Sequence, residues 1–228
     1  MCGRFALDAD EQAMNDALGC HVGMGNGSAP RYNIAPSQDV SLVRTFDGVR
    51  EWASLKWGLV PHWASDLSIG ARLINARAET AAIKPSFRDA LASRRCVIPA
   101  TGFYEWEARR DGKQPHVIRP RDGGLMVFAG LWERWLGPGG ESHETFAILT
   151  TAACEQLKWL HDRMPVILPR QAMDVWLDPG CAPESIGELL AGEPQIDLDI
   201  HPVSRKVNSP THEGPDLMDE VPDSLFPR

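Results

Sequence analysis

The chain opens Met1-Cys2-Gly3-Arg4-Phe5, and Cys2 is the residue with the most distinctive chemistry. Removal of an initiator methionine requires a small second residue, and cysteine is small enough. Cys2 would then carry an α-amine and a thiol on adjacent carbons. Their ordinary pKa values are about 8 and about 8.5. Modest electrostatic help leaves a useful fraction of both nucleophilic near neutral pH. Such a 1,2-aminothiol condenses with an aldehyde to an imine, and the thiol then closes a thiazolidine ring. An internal cysteine cannot do this, because its nitrogen belongs to an amide. Taken alone, Cys2 reads more plainly as an incidental residue of a first strand.

Three further segments place polar groups where packing does not ask for them. In Leu73-Ile74-Asn75-Ala76-Arg77-Ala78-Glu79-Thr80, Asn75 lies between an apolar run and a helical one. It could cap that helix or aim its amide into a cleft at a strand end. In Thr101-Gly102-Phe103-Tyr104-Glu105-Trp106, strand alternation puts Phe103 and Glu105 on one face and Tyr104 and Trp106 on the other. A carboxylate among aromatics is poorly solvated, which raises its pKa and suits proton transfer. An exposed glutamate on an edge strand is the alternative. In His161-Asp162-Arg163-Met164-Pro165, the histidine would end a short helix, where the dipole favours its charged form.

These residues need a scaffold, and the surrounding pattern supplies one. A capped amphipathic helix is expected over Asp8–Leu18, then a flexible loop over 21–30. Strands Val40–Thr45 and Val49–Leu55 flank Asp47-Gly48, a strong hairpin signal. Residues 76–92 read as helical with an interruption near Pro85. Strands are expected at Cys96–Pro99, Gly102–Ala108, His116–Arg119, Leu125–Leu131 and Thr145–Thr150, with turns at Asp111-Gly112 and Asp122-Gly123. Helices are expected at Cys154–Leu160, Gln171–Leu177 and Pro183–Ala191, and a last strand near Asp199–Ser204. Hairpin-linked strands outnumber helices, so the class is α+β with a largely antiparallel sheet curled toward a barrel and flanking short helices.

The 228 residues suffice to bury a core without disulfides, and no linker divides them. Five scattered cysteines without a Cys-x-x-Cys pair argue against a disulfide framework and a structural zinc site. A reducing, cytoplasmic compartment is the default for a bacterial source. No apolar run spans a membrane, and Asp8, Asp10, Glu11 and Asp16 occupy the place of a signal-peptide core. Metal, Walker-loop, dinucleotide and nucleophile-elbow signatures are missing, so no metal or nucleotide cofactor is expected. The net charge of -8 argues against nucleic acid at first sight. Glu213, Asp216, Asp219, Glu220 and Asp223 concentrate much of that charge in a Pro-rich tail, 209–228. Arg4, Arg31, Arg77 and Arg163 lie beside the motifs, so a local basic groove stays compatible with the total.

Together these segments resemble the SRAP family, the SOS-response-associated peptidases, whose members shield abasic sites in single-stranded DNA. The resemblance runs through Cys2-Gly3-Arg4, Arg31-Tyr32-Asn33-Ile34-Ala35-Pro36, Trp57-Gly58-Leu59-Val60-Pro61 with Trp63, and Asn75 to Thr80. It continues through Arg95 to Pro99, Gly102 to Trp106, Ala129-Gly130-Leu131-Trp132, His161 to Pro165 and His201-Pro202-Val203-Ser204. It implies a single domain over residues 1–208.

It also implies roles. Cys2 would form a thiazolidine with the ring-opened sugar aldehyde. Asn75 would hydrogen-bond the opened sugar and position the amine, Glu105 would shuttle protons, and His161 would assist ring opening. Arg4 and Arg77 would contact phosphates and Trp63 a base, with Asn33 and Arg163 completing the DNA-binding set. Closing the ring suppresses β-elimination, so the same site could show weak lyase activity. His62 departs from members that carry a second tryptophan beside Trp63. Rival readings are a thiol peptidase or self-processing enzyme using Cys2, and a non-covalent single-stranded DNA-binding module. A class II glutamine amidotransferase would need a Gly-His-x-Arg segment that the chain lacks.

Overall fold

Residues 2–20, 29–192 and 196–222 are described by the computed structural model. The expected loop over 21–30 falls almost wholly outside them. Strand β1 (Phe5–Leu7) and helix α1 (Glu11–Leu18) come first, followed by β2 (Arg31–Ile34), β3 (Asp39–Phe46) and β4 (Val49–Trp57). A 3-10 turn over Leu67–Arg72 leads to β5 (Asn75–Arg77), α2 (Ala78–Ala81) and α3 (Arg88–Ser93). Five longer strands follow: β6 (Arg95–Ala100), β7 (Gly102–Arg109), β8 (Gly112–Pro120), β9 (Met126–Leu136) and β10 (Ser142–Ala152). The chain continues through β11 (Arg163–Pro165), α4 (Met173–Leu177), α5 (Pro183–Ala191) and β12 (Leu198–Pro202).

The strands form two sheets. In one, β10, β4, β3, β6 and β9 pair in that order and β9 pairs back to β10, closing a five-stranded barrel. β5 and β11 extend it by pairing with β10, and only the β10–β4 and β10–β5 ladders are parallel. The other sheet is antiparallel, in the order β12-β8-β7-β1-β2. The expected α+β class with a curled, largely antiparallel sheet is therefore what forms.

Local chemistry explains much of this. Asp10 caps α1 by accepting from the Ala13 amide at 2.7 Å. Asp47 and Gly48 take φ values of 48° and 77°, the left-handed pair that closes a two-residue hairpin between Phe46 and Val49.

Two expectations meet stronger tertiary demands. Residues 76 and 77, expected as helix, join Asn75 in a strand paired with Ile148–Thr150, and the helix after them starts at Ala78 with Arg77 at its cap. Cys154–Leu160, expected as helix, is a run of turns. Leu157 and Lys158 both bond Cys154 O, and Leu160 and His161 both bond Leu157 O. This short connection must join two strands paired at Thr150 and Pro165, which outweighs the cost-burdened nucleation of a short helix.

Phe5 anchors the amino-terminal strand. It is buried edge-to-face on Trp57 at 5.3 Å and on Phe128 at 6.1 Å, while its backbone pairs with Ile34 and Phe103. Residues 209–222 lie against the same sheet rather than leaving it. Leu217 is buried beside Tyr104 and Val207, Val203 bridges Glu220, and Val221 N bonds Pro202 O.

Candidate active site

Cys2 sits three residues before the Phe5 anchor and is fully buried. Its carbonyl accepts a 2.8 Å hydrogen bond from Asn75 Nδ2. Asn75 reaches this point because the segment before it is pinned. Trp57 Nε1 donates to Ile74 O at 2.8 Å, and Leu59 N to Leu73 O at 3.1 Å. Gly58 and Gly70 permit the underlying approach, since a Cβ on Gly70 would meet Gly58 O at 2.6 Å. Asn75 is thus a strand residue holding the amino-terminal segment, and it caps no helix. Its Oδ1 is buried with no hydrogen-bond partner among the described residues.

Glu105 is 3% exposed and shares its face of β7 with Phe103, whereas Tyr104 and Trp106 pack in the smaller cluster behind. The expected alternation therefore holds. Burial raises the Glu105 pKa, and the nearby His161 only partly opposes this. Burial likewise pushes the Cys2 thiol well up, with the Glu105 charge acting in the same direction and the amino terminus against it.

His161 Nε2 stands 3.9 Å from Glu105 Oε2. On its other side, the Arg163 amide donates to Nδ1 at 2.9 Å. Asp162 Oδ1 is also 3.0 Å from Nδ1, but a nitrogen that accepts from an amide cannot donate to a carboxylate. The amide is fixed in β11 and the Asp162 side chain is 85% exposed, so the neutral ring is assigned its proton on Nε2, toward Glu105. His161 follows turns and not a helix, so the expected dipole effect has no source here.

The remaining residues divide by surroundings. Arg77 is exposed at the end of β5, and Trp63 is 51% exposed. Arg4 Nη1 bonds Asn33 Oδ1 at 2.6 Å and Val207 O at 2.7 Å. Asn33, assigned to DNA in the sequence, is fully buried and donates to Ser209 O and His212 O, which clamps the carboxyl-terminal segment. Arg163, also assigned to DNA, grips both oxygens of Glu79 at 2.6 and 2.9 Å and donates to Thr150 O at 2.6 Å. Both residues have an internal job in this structure. Glu79 and Thr150, which orient Arg163 beneath His161, went unnoticed in the sequence. Glu79 lay inside a quoted motif, but nothing local indicated a partner 84 positions away.

Cys2, Asn75, Glu105 and His161 are brought together from widely separated parts of the chain and from both sheets. The SOS response associated peptidase (SRAP) family model matches residues 1–210. The chain belongs to this family. Abasic site processing protein YoqW of Bacillus subtilis is 40% identical over 223 residues, covering 96% of this chain and 99% of that protein. Abasic site processing protein YedK of Escherichia coli is 32% identical over 227 residues, covering 97% and 100%. A crystal structure of a Bacteroides thetaiotaomicron protein superposes with a TM-score of 0.84 at 26% identity, covering 96% of this chain and all of that one. The SRAP site involves no metal cluster among the described residues: nowhere do three or more His, Cys, Asp or Glu side chains gather suitably. No helix among them is long and apolar enough to cross a membrane.

Proposed function

We propose that, once Met1 is removed, this site captures the ring-opened sugar aldehyde of an abasic site in single-stranded DNA as a thiazolidine on Cys2. The hydrogen bond from Asn75 to the Cys2 carbonyl carries the reading, because it holds the amino-terminal aminothiol at the Glu105–His161 pair. The relatives' names, abasic site processing proteins, support the same substrate.

The Cys2 amine adds to the aldehyde carbon to give a carbinolamine. Glu105, whose protonated form burial favours, gives its proton to the departing hydroxyl, and water leaves with the C–O bond. The thiol gives its proton to the Glu105 carboxylate, restoring the acid, and its sulfur adds to the carbon of the protonated imine, whose nitrogen keeps its one hydrogen as the ring N–H. One aldehyde and one aminothiol yield one thiazolidine and one water. Removing Met1 moves the terminal ammonium onto Cys2 itself, where it lowers the thiol pKa more strongly. His161 Nε2–H assists ring opening of the sugar. Arg4 and Arg77 meet phosphates and Trp63 a base, while Asn33 and Arg163 shape the surface from beneath. Weak lyase action follows when the imine eliminates before the ring closes.

Borohydride trapping tests the order of events. Wild-type protein crosslinks without reductant, whereas Cys2→Ala, which keeps an α-amine, crosslinks only when the imine is reduced. No reductant-dependent adduct from Cys2→Ala, at undiminished DNA affinity, would sink the amine-first scheme.

A further inference from the structure

We infer that Trp159 is a stacking platform for an unpaired nucleobase of the strand that flanks the captured lesion. The inference rests on the abasic-site reading and adds a second base contact to it.

Of the eight tryptophans, five are buried and Trp106 is partly so; Trp63 and Trp159 are exposed. Trp159 is 56% exposed although its segment is well held. Leu157 and Leu160 on either side are buried, and the amides of Leu160 and His161 both bond Leu157 O. Its ring is also fixed, standing edge-to-face on His116 at 5.3 Å and 85°. His116 is buried in β8, directly across the ladder from Glu105. Directly opposed residues share a face of the sheet. Trp159 therefore rises on the Glu105 side, two residues before His161.

Position along the sheet gives it a separate reach. Counting from β1, which follows Cys2, comes β7 with Glu105 and then β8 with His116. Two strand spacings make about 10 Å, roughly three nucleotides at about 3.4 Å per nucleotide of one strand. Trp63 follows β4 of the barrel, and Trp159 lies in the β10–β11 connection with its ring packed on His116 of β8 in the other sheet.

The surrounding charge selects a base and not a phosphate. Lys158 is paired with Glu155 at 2.6 Å, and Asp162 presents an exposed carboxylate nearby. An open indole face tolerates any base, as binding around a lesion of unfixed sequence requires.

The test uses full-length, Met1-free protein and single-stranded DNA with one abasic site. The adjoining nucleotides either carry bases or are replaced, on the 5′ or the 3′ side, by a stable baseless spacer. With bases present, Trp159→Ala is expected to lower the second-order crosslinking rate about five- to a hundredfold, leaving the rate at saturating protein unchanged. Trp159→Phe should retain most of the wild-type rate. Wild-type protein should lose a similar factor when one flanking base is removed, and Trp159→Ala should lose nothing more. Wild-type indifference to removal of bases on both sides would overturn the inference even if Trp159→Ala fails to fold. So would an equal loss in Trp159→Ala on both kinds of DNA. Failure of wild-type protein to crosslink at all would instead count against the abasic-site reading.

Discussion

Replacing Asn75 with alanine should separate positioning from folding. Two opposed effects act on stability. The 2.8 Å bond to Cys2 O disappears and leaves that buried carbonyl without its donor, costing about 1–3 kcal/mol. The buried, unpartnered Oδ1 disappears as well, relieving about 1–3 kcal/mol of desolvation. The sum is close to zero, and at about 2–4 °C per kcal/mol for a chain of this size the Tm should move by only a few degrees. Reactivity has no such cancellation. The variant loses both the anchor on Cys2 and the acceptor available to the sugar or amine. Two hydrogen bonds of about 0.5–1.5 kcal/mol each correspond to roughly a 5- to 150-fold slower step. The assay is single-turnover crosslinking at saturating Met1-free protein, read on a denaturing gel. Asn75→Asp should be at least as slow near neutral pH, since an ionised carboxylate cannot donate to Cys2 O. A wild-type rate in Asn75→Ala would refute the positioning argument. So would a rate that falls only in proportion to a large drop in Tm.

The raised Glu105 pKa makes a signed prediction. A folded-state pKa above the unfolded value gives stability below the ordinary carboxylate range that is lost as pH rises through the folded value. Glu105→Gln should remove that loss, giving a higher Tm than wild type at neutral pH together with much slower crosslinking, measured by thermal melts across pH 4–8 taken as differences from wild type (about this window follows from the ordinary Glu value). Truncation after Asn208 should destabilise the protein, because it uncovers the Leu217 site and removes both acceptors of Asn33 Nδ2. Burial of a leucine is worth about 1.5–3 kcal/mol, so calorimetry should show a Tm lower by roughly 3–12 °C.

The legible parts of this fold are those decided by neighbours in sequence. Asp47-Gly48 declares its hairpin because the turn requires two left-handed residues. Phe103 to Trp106 declares its two faces because a strand alternates. Asn75 could not be placed this way. Its strand exists through pairing with Ile148 to Thr150, more than 70 positions away, and local propensity favoured a helix. Cys154–Leu160 failed for the same reason, since the strands it connects set its length and ends. The β4–β10 pairing that completes the barrel and the course of residues 209–222 over Tyr104 are likewise long-range.

Cys2, Asn75, Glu105 and His161 were all named from the sequence, and their motif order pointed to the family. What they touch was not legible there. The partners of Asn33 and Arg163 lie far along the chain, so the internal bonds these two side chains make could not be read from their neighbours. Trp159 carried no signal beyond its type. Only the placement of His116 opposite Glu105 shows where its ring stands.

The central claim is best tested by denaturing electrophoresis of Met1-free protein incubated with single-stranded DNA bearing one abasic site, beside intact-base DNA and Cys2→Ala protein. Covalent capture predicts a denaturation-resistant protein–DNA band that requires both the lesion and Cys2, with Cys2→Ala retaining only slow strand cleavage. No such band, with Met1 removal verified by mass spectrometry, would contradict the account and leave a thiol peptidase or a non-covalent DNA-binding module.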